Sequence, residues 1–145
     1  MTPANYVQLM TTSTRERMKA KEEISPPRLS GTALIVEDNL IIAMSAEVIL
    51  LELGARHAET ATSVSEAMKA IERAKPSFAL LDLNLGSKNS IAVGRKLKEL
   101  KVPFIFATGY GERAPIPAEL SDAPVIQKLY TRSLIESTLG KLKLG

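Results

Sequence analysis

Three short apolar runs most restrict what this chain can fold into: Thr32–Glu37 (TALIVE), Phe78–Leu83 (FALLDL) and Pro103–Ala107 (PFIFA). None alternates apolar with polar residues. Each therefore fits a strand buried on both faces, as in a parallel sheet covered by helices. The segments between them carry helical spacing. Asn39–Leu53 is long and helical and Gly54 stops it. Ala55–Ala61 is a weaker strand, nearer an edge. Thr62 or Ser63 caps a helix through Ala74, with Glu66 placed as in a capping box, and Pro76 breaks the pattern. Gly86–Ser90 is expected to be a loop, followed by a helix to about Leu100. Tyr110–Asp122 contains Pro115 and Pro117, which predicts a short, late or irregular helix. Pro124–Gln127 is a last short strand. Thr131–Leu142 is a last helix, with Leu134, Ile135, Thr138, Leu139 and Leu142 on one side.

Five strand–helix units in succession predict an α/β fold: a doubly wound, five-stranded parallel sheet with helices on both faces. The order 2-1-3-4-5 is one of two common solutions, and its functional crevice lies beyond the carboxyl ends of the strands. This domain is expected over residues 31–145. Residues 1–30 are rich in Thr, Ser, Lys and Glu and end in Ser25-Pro26-Pro27, so they are expected to form a flexible extension, with a short helix possible over Thr14–Glu23. Its basic residues (Arg15, Arg17, Lys19, Lys21, Arg28) have no aromatics interleaved past Tyr6, and no nucleic-acid partner is expected. The chain has no cysteine, which excludes disulfides and thiolate metal sites. Its one histidine, His57, excludes a multi-histidine zinc site and is expected to be a surface residue. No apolar run is long enough to span a membrane, and no signal-peptide core is present, so a soluble, cytoplasmic protein is expected.

The carboxyl ends of the expected strands bring five polar positions to one rim. Strand one ends in Glu37-Asp38, strand three in Asp82, strand four in Thr108, and strand five near Lys128. Singly, each has an ordinary reading: Asp38 as a helix cap, Asp82 and Thr108-Gly109 as turn residues, Lys128 as a solvated cation. Together they are harder to dismiss. Three crowded carboxylates raise one another's pKa values unless a cation sits among them. An all-oxygen set suits Mg²⁺ or Mn²⁺ rather than zinc. A hydroxyl and an ammonium beside it suit a phosphoryl group, and a carboxylate is at hand as nucleophile.

LIVEDN at 34–39, LLDLNL at 80–85, FATGY at 106–110 and the lysine of VIQKLY at 125–130 stand in an order and spacing that resembles the receiver domains of bacterial two-component response regulators, the CheY-like, flavodoxin-like family. The resemblance covers residues 31–143. PFIFATGYGE and DLNLGSKNS resemble a narrower group with a Phe-Ala-Thr-Gly motif, often stand-alone and linked to histidine kinases of the HWE/HisKA2 type. The resemblance implies that Asp82 is the phosphoacceptor. It implies that Asp38 and Asp82 bind Mg²⁺ directly, Glu37 through water, and Asn84 by its backbone carbonyl. Thr108 and Lys128 would contact phosphoryl oxygens. Gly109, being small, would leave the acceptor open, and Asn84 and Tyr110 would border the site and tune the lifetime of the phosphate. The implied partners are a sensor histidine kinase and a possible downstream protein; the implied activity is phosphotransfer onto the chain itself rather than enzymatic turnover of a substrate.

The chain departs from the family pattern twice. Leu129 stands where proline usually follows the lysine, and a trans peptide is expected before it because a cis bond before a non-proline residue costs about 3 kcal/mol. Val125 stands where a switching aromatic is common, and Tyr110 is a candidate replacement. The first helix also carries two apolar stripes, Ile42/Ala46/Ile49/Leu53 and Ile41/Met44/Val48/Leu51, about 150° apart. Neighbouring helices could cover both, the extension could fold over the second, or the second could be a docking face for the kinase. Two functional alternatives remain at this level. One is a phosphohydrolase with an aspartate nucleophile, although Asn84 stands where such enzymes need a general acid. The other is a binding module that is never phosphorylated.

Overall fold

The computed structural model describes residues 29–86, 88–109 and 116–142. Residues 1–28 of the extension expected over 1–30, and Tyr110, lie outside them; Leu29, within that expected extension, belongs to the core.

The strands are β1 (Thr32–Val36), β2 (His57–Ala61), β3 (Phe78–Asp82), β4 (Asn84–Leu85), β5 (Lys88–Asn89), β6 (Phe104–Thr108) and β7 (Val125–Gln127). The helices are α1 (Leu40–Glu52), α2 (Val64–Arg73), α3 (Ile91–Glu99) and α4 (Arg132–Leu139). The main sheet runs β2-β1-β3-β6-β7, all parallel. Counting sheet strands along the chain, that is the expected 2-1-3-4-5. β3 is buried at every position, as its unbroken apolar run required. β2 is the weaker edge strand, and His57 is exposed on it.

Side chains alternate across the sheet and divide the core in two. Ala33, Ile35, Phe78, Leu80 and Ile105 pack on one face with Ala43, Ala46, Ile49 and Leu50 of α1 and Ile135 and Leu139 of α4. Leu34, Val36, Leu81 and Phe106 pack on the other with Ala67 and Ile71 of α2 and Val93 and Leu97 of α3. Each fully buried large aliphatic contributes about 1.5–3 kcal/mol. Gly94 lets α3 sit close to the sheet: a Cβ there would lie 3.0 Å from the Phe106 ring and 3.3 Å from Leu120. Gly54, at φ +116°, ends α1. Leu29, the first described residue, is buried, and its amide donates to the Leu53 carbonyl.

Several local expectations are corrected. The stretch expected as the loop Gly86–Ser90 contains a small antiparallel hairpin pairing β4 with β5; Gly86, at φ +68°, supplies the left-handed backbone that such a tight turn needs. Between β6 and β7, by contrast, the described residues hold a 3₁₀ turn, Ala118–Leu120, which agrees with the short, late helix expected from the prolines. The last helix ends at Leu139, with Leu142 packed against the core as a partly buried turn residue beyond it. The Lys128–Leu129 peptide is cis, not trans. The expectation weighed only the local cost, whereas tertiary ties grip both sides of this bond: the Lys128 amide donates to Thr108 O at 2.8 Å, its ammonium is ion-paired, and Tyr130 is buried.

Candidate functional site

β1 and β3 lie side by side where the strand order reverses, so their carboxyl ends open on the switch-point crevice. β1 ends at Val36, which leaves Glu37 and Asp38 just past the sheet. β3 ends on Asp82 itself. One oxygen each from Glu37, Asp38 and Asp82 lies within 4.8 Å of the others. Glu37 and Asp82 are buried, and Asp38 is exposed. The rim deduced from topology is therefore a real cluster.

Lys128, just beyond β7, reaches into it. Its Nζ lies 2.8 Å from Asp82 Oδ2 and 2.9 Å from Glu37 Oε1. Burial would lower the ammonium's pKa, but hydrogen bonds and attraction from both carboxylates outweigh it and the net shift is upward. Glu37 moves the other way from an ordinary acid. Burial pushes it up to about 7, more than its bonds from the Asn39 amide and Lys128 can offset, and the nearby Asp82 charge adds to the rise. Tyr130, packed behind the rim, is also raised by burial and by the same two carboxylates. Its closeness to Lys128 is the one sequence signal of its place there.

The ordinary reading of Asp38 as helix cap fails, because Asn39 is the cap. Asn39 Oδ1 accepts from the amides of Ile41 at 3.0 Å and Ile42 at 3.1 Å, while its own amide donates to Glu37 Oε2 at 3.0 Å. Asp82 Oδ1 accepts from the Asn84 amide at 3.2 Å. Asn84 opens β4, so the hairpin starts at the rim. Thr108 ends β6 half-buried, one residue past the register partner of Asp82, and Gly109 follows it, also half-buried. Val125 is exposed at the start of β7 and is no buried switch.

On α1 the two stripes separate cleanly. Ala46, Ile49 and Leu53 are buried and Ile42 is partly so. Ile41 is 80% exposed, Met44 65%, Val48 57% and Leu51 40%, so no helix among the described residues covers the second stripe. Leu40 and Leu129 are exposed as well: Leu40 lies one turn before Met44 and extends the second stripe, and Leu129 lies in the β7–α4 loop.

Three carboxylate oxygens gathered where two adjacent strands end are a hard donor set, and the residues fit Mg²⁺ or Mn²⁺. Fold and rim together define a class: a doubly wound α/β domain with a lysine-bridged carboxylate pocket at its switch point. The family model described as the response regulator receiver domain matches residues 33–134, and the chain belongs to that family. It is similar to the phyllosphere-induced regulator PhyR of Methylorubrum extorquens, at 39% identity over 99 residues, covering 63% of this chain and 37% of that protein. Among solved structures it is similar to SdrG from Sphingomonas melonis Fr1, with TM-score 0.64 and 33% identity, covering 77% of this chain and 94% of that one. The PhyR receiver domain of Erythrobacter litoralis gives TM-score 0.61 and 30% identity, covering 77% and 88%. The chain spans little more than a third of the length of the curated PhyR. No helix among the described residues is long and apolar enough to cross a membrane.

Proposed function

We propose that this chain is a phosphoacceptor of a two-component pathway, loaded on Asp82 by a sensor histidine kinase in a Mg²⁺- or Mn²⁺-dependent reaction. The observation that carries the reading is the Asp82 carboxylate, buried at the end of the central strand, held 2.8 Å from a lysine ammonium and beside two further acids. A turn residue or a solvated cation would have no reason to be so placed.

In the proposed reaction an Asp82 oxygen attacks the phosphorus of the kinase phosphohistidine. The P–O bond forms, the P–N bond breaks with its electron pair returning to the imidazole, and an acyl phosphate results. Asp38 and Asp82 would hold the cation directly, Glu37 through water, and Asn84 by its carbonyl. When bound, the cation would neutralise charge on the phosphoryl oxygens. Lys128 would contribute the same neutralisation from the chain itself, and the Thr108 hydroxyl would donate to one phosphoryl oxygen. Gly109 would keep the approach open, and Tyr110 and Asn84 would tune the lifetime of the product.

The exposed α1 stripe of Ile41, Met44, Val48 and Leu51 would be the surface that meets the kinase. The Phe-Ala-Thr-Gly motif at 106–109, with PhyR among the relatives, favours a kinase of the HWE/HisKA2 type. The output would be binding of a downstream protein or drainage of phosphate from a shared kinase, in the cytoplasm. The test is labelling by acetyl phosphate and by phosphorylated kinase with Mg²⁺. Asp82→Asn should abolish both signals, and a chelator should suppress both in the wild type. Undiminished labelling of Asp82→Asn would move the acceptor elsewhere.

A further inference from the structure

We propose that Asn39 is a positioning residue for the cation site, setting the place of Glu37 as well as capping α1. The inference rests on the reading of Glu37, Asp38 and Asp82 as that site.

The argument is one of connectivity. Glu37 is tethered at both carboxylate oxygens: Oε1 by Lys128 and Oε2 by the backbone amide of Asn39. The second tether is only as firm as the backbone that carries it. Asn39 lies outside the helix in extended backbone, φ −87° and ψ +112°. The first amides of a helix have no partner within it, and an uncapped first turn frays. Here the Asn39 side chain closes that turn by accepting from two amides at once, Ile41 and Ile42. Its carbonyl accepts from Ala43 at 2.9 Å. Asn39 is thus fixed from its C-terminal side, and its own amide is left aimed back at Glu37. Asp38, the exposed acid of the cluster, is suspended between these two fixed neighbours. One side chain therefore sets the backbone that carries two of the three carboxylates.

The residue type fits this double task. Asp would cap equally well, but it would place a fourth carboxylate beside the cluster. Ser caps as a neutral residue with a shorter arm. Partners that orient metal ligands typically alter affinity by 10–100-fold when removed. A cap that served only the helix would change stability and leave the site alone.

The experiment compares wild type, Asn39→Ala, Asn39→Ser and Ser63→Ala. Ser63 caps α2 with the same kind of bond, to the Glu66 amide, and belongs to no proposed site. The measurements are Mg²⁺ affinity by calorimetry on the unphosphorylated protein, the melting temperature without Mg²⁺, and acetyl-phosphate labelling across a Mg²⁺ series. Asn39→Ala should weaken Mg²⁺ binding about tenfold, with labelling restored at saturating Mg²⁺. Asn39→Ser should recover most of the affinity. Ser63→Ala should melt earlier and bind Mg²⁺ like the wild type. The proposal falls if Asn39→Ala melts earlier but binds like the wild type, or if Asn39→Ser is as weak as the alanine variant. If the alanine variant does not fold, the serine variant decides: affinity within about threefold of wild type supports the inference, and a tenfold loss overturns it. No Mg²⁺ binding by the wild type would remove the cation site itself and this inference with it, which separates the two failures.

Discussion

Removing the Lys128 ammonium should destabilise the protein in a strongly pH-dependent way. Lys128→Met keeps much of the aliphatic stem and deletes the charge that serves two carboxylates. Their side chains are 3% and 2% exposed, and that of Lys128 is 14% exposed, so solvent offers little screening. Breaking a buried pair by deleting one partner costs about 3–5 kcal/mol. For a body of this size that is a fall of about 10–20 °C in melting temperature. The pH dependence follows from Glu37, whose folded pKa of about 7 already exceeds its ordinary value of 4.5. A raised carboxyl pKa means that the folded state holds its proton more tightly, so the associated stability is present below about 4.5 and is lost as pH rises through 7. In the variant, Glu37 loses its counter-ion and its pKa climbs further. The deficit should therefore be full at pH 8.5 and shrink at pH 5.5, where the acid is neutral. Mg²⁺ at pH 8.5 should also raise the variant's melting temperature more than the wild type's, because it would then be the sole cation among three acids. Urea or thermal unfolding at both pH values, with and without Mg²⁺, reads all of this. An equal deficit at pH 5.5 and 8.5 would refute the claim that Lys128 acts by neutralising the rim.

Three further outcomes are expected. Mg²⁺ affinity of the wild type should weaken as pH falls through about 7, because the Glu37 proton must leave before its oxygens can face a cation; isothermal titration at pH 6 and pH 8 would show proton release at the lower pH. Met44→Glu with Val48→Glu should abolish phosphotransfer from the kinase and leave acetyl-phosphate labelling intact, since both side chains are exposed; undiminished kinase phosphotransfer would defeat the docking reading, and loss of both signals would point to a damaged fold. Gly94→Val should cost about 2–3 kcal/mol in urea unfolding, because the added carbons meet the Phe106 ring and Leu120, both fully buried; an unchanged midpoint would show that α3 can lift off the sheet.

Strand identity and order were legible because buried parallel strands announce themselves as unbroken apolar runs. TALIVE, FALLDL and PFIFA each form a central strand, and the carboxyl ends of the first two place Glu37, Asp38 and Asp82 together by topology alone. What was not legible depends on contacts across the chain. The β4–β5 hairpin hangs on a two-residue turn at Gly86, a signal hidden in a segment too short for alternation to show. Asn39 and Asp38 are both good caps by type, and only the backbone path after β1 decides between them. Leu29 follows two prolines and a basic residue, yet its burial comes from Leu53 and the α1 core. That Lys128 grips Glu37 as firmly as Asp82 could not be read from spacing, since the 90 positions between residues 37 and 128 leave the chain free to bring them together or not. The cis bond before Leu129 lay beyond any local rule.

The placement of Lys128 has a mechanical consequence. It stands three residues before Thr131, the hydroxyl that caps α4 through the Leu134 amide. Only Leu129 and Tyr130 lie between, so if the ammonium traded a carboxylate for an incoming anion, any shift of the Lys128 backbone would reach the start of α4. Charge rearrangement at the crevice and the orientation of that outer helix would then be two ends of one lever.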